Sequence, residues 1–155
     1  MRAYHFVGKT LRNGQPIPPN GEWLEYDGPL PLIMCERGLH ASRHPFDALK
    51  YSPGNTLCLV ELGGTILHDT DKSVATKRKI LARVDAEDML RTFARRCALD
   101  VIHLWDAPDI VREYLETGDE RKRAAARAAA EAAAEKTQRT MFAKMVKELF
   151  KTVKD

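Results

Sequence analysis

All nine glycines and all eight prolines of the chain lie at or before Gly118, and from Asp119 to Lys154 neither residue occurs. Ala124 to Ala134 is nearly pure alanine, the residue that loses least on entering a helix. With Asp119 as a cap, the sequence predicts one long helix running to Lys154. Upstream, the turn-formers allow only short elements. The chain accordingly divides into an expected globular domain over 1–118 and an expected alanine-rich amphipathic helix over 119–155. Near its end, Phe142, Met145, Val146, Leu149, Phe150 and Val153 recur at spacings of three and four, a stripe that needs cover. Folding back onto the domain, self-association or a protein partner would each supply it. Nucleic acid on the Lys and Arg face is the weaker expectation, because such faces are usually just solvated.

A chain of 155 residues suits one domain with a real hydrophobic core. No apolar run approaches the roughly 18 to 20 residues of a membrane span, and the opening Met-Arg-Ala-Tyr-His-Phe lacks the apolar centre of a signal peptide. The expectation is a cytoplasmic protein without a membrane partner. Cys35, Cys58 and Cys97 are odd in number and widely spaced, which fits reduced thiols. None has an adjacent base that would mark a nucleophile. From Asp119 onward ten Lys or Arg face six Asp or Glu, an excess of four, so a net charge of +3 leaves −1 for residues 1–118. That balance argues against a nucleic-acid-binding body.

The first half reads as strands. Residues 3–7 and 22–26 alternate, and 57–62 is an apolar run closed by Gly63-Gly64, predicted as a central strand buried on both faces and continued by 65–67 beyond a glycine bulge. Residues 77–84 supply another strand. Asp85 caps a helix whose Met89, Leu90, Phe93, Ala94 and Cys97 share a stripe, predicting a helix packed on a sheet. After a connector at 101–105, Pro108 and Asp109 open a helix with Ile110, Val111, Tyr114 and Leu115 inward, stopped by Gly118. The class is α+β.

One segment does not read as plain core. Gly38-Leu39-His40-Ala41-Ser42 predicts a short strand, then a turn, then a helix opening near Pro45 and ending at Tyr51. A glycine, small residues around an imidazole, and an aromatic eleven positions after His40 suit a cleft where backbone approaches a ligand and a ring stacks on it. A zinc set from Cys35, His40 and His44 is rejected, because Pro45 breaks any shared face and no fourth ligand is evident. No metal is expected.

In order along the chain, Tyr4-His5-Phe6, Gly38-Leu39-His40-Ala41-Ser42, Tyr51 and the strand at 58–63 resemble the ADP-ribosyltransferase superfamily in its poly-ADP-ribosyl branch. Over residues 1 to 85 the resemblance implies a bent, split sheet core holding NAD. It implies that His5 bonds the adenosine-side ribose, that Tyr51 and His40 flank the nicotinamide ring, and that Ser42 reaches the carboxamide. The family's catalytic carboxylate belongs on a later strand. Here that strand reads Ala-Thr-Lys-Arg-Lys-Ile-Leu over 75–81, and a cation beside an oxocarbenium opposes the transition state. Lys77 and Arg78 suit phosphate instead. A nucleotide-binding pseudoenzyme, or a phosphate-handling member similar to the RNA 2′-phosphotransferases, is what this departure implies. Glu61 or Glu36 would stand in for the missing acid only under a different strand order.

Nearly the whole chain also resembles an uncharacterised phage and prophage family, through Cys-Glu-Arg-Gly-Leu-His-Ala-Ser at 35–42, Tyr-Ser-Pro-Gly-Asn at 51–55, Leu-Trp-Asp-Ala-Pro-Asp at 104–109 and the alanine-rich tail. That resemblance implies work in a host cytoplasm. Host takeover, defence inhibition or assembly through the tail are the roles it leaves open.

Overall fold

A computed structural model describes the backbone of residues 1–151 and the side chains of residues 1–148. The chain is α+β, with an antiparallel sheet and a long C-terminal helix. By its contacts it divides into two compact units, Met1–Asp88 and Met89–Asp155. Gly118, the expected domain boundary, lies within the second unit.

The first unit carries β1 (Arg2–Val7), β2 (Trp23–Glu25), β3 (Leu39–Ala41), α1 (Pro45–Leu49), β4 (Thr56–His68) and β5 (Ser73–Asp85). β1 pairs with β4, β4 with β5, and both β3 and β2 with β5, all antiparallel. Just beyond β3, Ser42 exchanges two backbone hydrogen bonds with Tyr4, at 2.7 and 2.8 Å. β1, β4, β5 and β3 therefore form a closed circuit of pairings, which protects backbone groups that an open edge would expose. The enclosed core consists of Ala3, Val7, Ala41, Cys58, Val60, Leu62, Ala75 and Ile80.

β4 corrects one expectation. Cys58, Val60 and Leu62 are buried, whereas Leu57, Leu59 and Glu61 are only partly covered, so the run has one core face rather than two. Its partners are antiparallel neighbours, and an antiparallel sheet commonly packs one face on its core and leaves the other less covered. The predicted glycine bulge is present as a register shift between Gly63 and Ile66. β5 begins earlier than predicted, at Ser73, because β4 and β5 form one long hairpin.

The second unit contains nearly all of α2 (Glu87–Asp100), a 3-10 turn (Ile102–Leu104), α3 (Asp109–Thr117) and α4 (Glu120–Lys151). The Asp85 carboxylate accepts from the Glu87 N–H at 2.9 Å, the predicted cap. The apolar stripe of α2 is not a core stripe: none of the helix's residues is buried, and Met89 and Phe93 are exposed. α3 buries Val111 and ends at Gly118 in the left-handed conformation, φ 69°. Asp119 caps α4 by accepting from the Arg121 N–H at 3.0 Å. Along α4, Arg127 pairs with Glu131 and Arg139 with Glu135, the four-residue pairing expected of a solvated helix. Phe142, Met145 and Val146 lie on its described part, while Val153 and the side chains of Leu149 and Phe150 fall outside the described residues.

Candidate functional site

His5 stands on β1 with Ala3 and Val7, the core-facing set, opposite Cys58. Burial, then the Arg78 guanidinium and His40, pushes its pKa down to about 3. The imidazole is neutral at pH 7. Arg78 occupies β5 between Leu24 of β2 and Leu62 of β4 and is only 7% exposed. Its Nη1 donates to the His40 carbonyl at 2.7 Å, tying β5 to β3. Burial lowers its pKa to about 10, so the charge is kept at neutral pH. Among the described residues no carboxylate pairs with it, which leaves a positive potential under β1 and β3.

His40 continues the arrangement outward. Its Nε2 accepts from the Cys35 N–H at 3.0 Å, and burial, then Lys72 and Arg78, lowers its pKa. Cys35 sits in the tight turn where Ile33 bridges Arg37, with a left-handed φ of 67°. A non-glycine residue there costs about 1–3 kcal/mol, a price usually tolerated only where the surroundings fix it. The Cys35 side chain, followed by Tyr51, raises the pKa of Lys72.

Lys72 in turn donates to the Tyr51 hydroxyl at 3.1 Å, and its Nζ lies 4.3 Å from the ring centroid. The hydroxyl itself donates to Asp71 at 2.8 Å, and Asp71 lies 3.6 Å from Lys50. The bond from Tyr51, then Lys50 and Lys72, holds the Asp71 pKa below its usual value. α1 fixes Tyr51 in place: the His44 ring accepts from the Phe46 N–H and caps the helix, Pro45 starts it, and Tyr51 follows at its end, 49% exposed.

Hydrogen bonds thus join Arg78 to His40 and His40 to Cys35, and join Lys72 to Tyr51, while His40 feels the charge of both Lys72 and Arg78 and His5 lies at the inner end. Four of the residues singled out from sequence come together: His5, His40, Tyr51 and Arg78. Ser42 is beside them but buried, its backbone held by Tyr4. Gly38 is filled by protein, with Val74 and Leu32 where a side chain would go. Lys77 lies apart, paired with Glu25 at 2.7 Å on the β2 side. Lys79 pairs with Glu61 at 2.8 Å and Glu36 with Arg37 at 3.1 Å, so both substitute carboxylates are engaged by cations. The cleft beside Arg78, lined by Leu11, Pro18, Glu22, Leu24 and Ile80, has about 10 Å³ of space, room for a water molecule. A larger ligand at this site would lie across the exposed end, against Tyr51 and Lys72.

Sequence reasoning missed Cys35 and Lys72. The β4–β5 hairpin brings Lys72, 37 positions away in sequence, within electrostatic reach of Cys35. Adjacency along the chain gives no sign of this. Asp69-Thr70-Asp71-Lys72 reads only as a polar turn.

Residues 1–92 match a family model whose description is Domain of unknown function (DUF7666). No curated protein and no solved structure gives a significant match.

Proposed function

We propose a function for this chain, which belongs to the DUF7666 family: its first unit binds a phosphate-bearing nucleotide of the NAD or ADP-ribose kind at the Tyr51–Lys72–His40 surface. The observation that carries this reading is a buried, carboxylate-free Arg78 bonded to His40, which also feels the charge of the Lys72 that holds an exposed tyrosine ring. A buried unpaired cation is costly, and such costs concentrate where a ligand of opposite charge is received. The ring offers a stacking face, Lys72 a mobile donor for phosphate, and neutral His40 a polar edge. The sequence resemblance to ADP-ribosyltransferases supports the same ligand class and the finer fold assignment. The proposal is one of binding: β5 presents Lys77, Arg78 and Lys79 where that family has its acid, which suits holding a nucleotide rather than cleaving it. In a phage setting such a domain would sequester or present a host nucleotide.

Thermal unfolding with NAD and with ADP-ribose tests this. A ligand at a hundredfold excess over its Kd stabilises by about 2.7 kcal/mol, a rise of several degrees. The rise is expected for the wild type and for Lys77→Ala, and it should be lost in Tyr51→Ala and Lys72→Ala. No rise with either ligand, or an undiminished rise in both of the last variants, contradicts the assignment.

A second reading rests on α4. Met141, Phe142 and Met145 are exposed on the described part of the helix, which favours a docking role for its end.

A further inference from the structure

The end of α4 carries exposed apolar side chains that the proposed nucleotide site does not use. From Glu131 to Glu148 every residue but Ala133 and Val146 is exposed, Phe142 to 68%. At about 100° per residue, Met141, Phe142, Met145 and Val146 fall on one half of the helix circumference. In sequence, Leu149, Phe150 and Val153 keep the same spacing. Lys144 and Lys147 occupy the other half, and Lys151 and Lys154 keep their spacing too. Between Arg139 and Lys154 there are five basic residues and one acid, Glu148. Over 139–151 the segment is a basic amphipathic helix about 20 Å long by the rise of 1.5 Å per residue.

We propose that this segment docks on an anionic lipid surface. Two observations speak against a second copy of the chain. First, the apolar arc covers about half the circumference, wider than the two-residue seam of a coiled-coil pair, and flanking positions such as Met145 and Phe150 are apolar where such pairs carry complementary charges. Second, the stripe stops within about two heptads. Moving back from Phe142 at heptad spacing reaches Arg139 and Glu135, and then only alanine at 132 and 128. Sustained pairing needs three to four heptads. A broad apolar half-cylinder with lysines along its other half instead fits an interfacial helix, where apolar side chains enter the acyl boundary and lysines reach phosphate headgroups. The sequence-based expectation of no membrane partner rested on spans. No described helix is long and apolar enough to cross a membrane, and an interfacial helix does not need to be.

Flotation of the full chain with vesicles tests the proposal. Vesicles of phosphatidylcholine containing phosphatidylglycerol are expected to carry the protein. Vesicles of phosphatidylcholine alone are expected to leave it behind, and added salt should release it. The double variant Phe142→Ser, Met145→Ser keeps the charge and is expected to weaken binding about tenfold or more. Both positions are exposed, so the fold is not at risk. Three results overturn the proposal: no binding to anionic vesicles, binding that the double variant does not reduce, or a doubled solution mass that the double variant abolishes without any vesicle binding. The last would assign the face to a second copy, and absence of both behaviours would leave it to an acidic protein.

Discussion

Replacing Gly38 with alanine is expected to lower stability by about 3 kcal/mol or more, and to cut the melting temperature by at least about 10 °C. Two effects add. The backbone there has φ 119°, outside the regions open to residues with a side chain. The new Cβ would also drive into the Val74 Cγ2 methyl, and would lie 2.9 Å from Leu32 Cδ2 and 3.3 Å from the Ala75 carbonyl. Val74 and Ala75 are fully buried on β5 and cannot yield. Gly21→Ala separates the two effects: its φ is 90°, yet nothing lies within 4 Å of the added carbon. That variant should lose only the backbone component, about 1 kcal/mol. Equal losses in the two variants, measured by denaturant unfolding, would show that packing around Gly38 is not what requires glycine.

Acid should destabilise the protein well above the pH at which its carboxylates titrate, and His5 is the reason. Its ordinary pKa of 6.5 falls to about 3 in the folded chain, so the unfolded chain takes up the proton first. The associated stability is fully present above pH 6.5 and drains as pH falls from there towards 3. By pH 5 the loss is about 2 kcal/mol, at roughly 1.4 kcal/mol per pH unit over the window. His40, lowered by burial and then by Lys72 and Arg78, adds in the same direction. His5→Gln keeps a polar neutral side chain and removes the titration, so its stability should fall less between pH 7 and pH 5 than that of the wild type. Parallel curves for wild type and variant over that range would contradict a neutral His5 in the folded chain.

Local patterns exposed much of this architecture. Pro45 and Tyr51 marked α1, the Gly63-Gly64 pair marked the bulge in β4, and Gly118 with Asp119 marked the passage from α3 to α4. These are decisions of a few residues, set by φ preference and capping. The burial of α2 was misread because Met89 and Phe93 have helical spacing, and spacing says which side chains share a stripe, not whether anything covers it. The site was half legible. His5, His40 and Tyr51 stand out by residue type and order. Cys35 and Lys72 do not, since they meet only after β3 and the β4–β5 hairpin pair side by side, a long-range event with no local signature. Gly38 was legible as a special position, but its cause is Val74 and Leu32 rather than an approaching ligand.

The central claim concerns the surface where Tyr51, Lys72 and His40 meet, and the most direct measurement of it is a two-dimensional amide NMR titration of the full chain with ADP-ribose. The account predicts saturable shifts centred on Cys35, His40, Tyr51 and Lys72, with Lys77 and Glu25 unmoved. An unchanged spectrum at millimolar ligand, or shifts centred on Lys77 and Glu25, would contradict it.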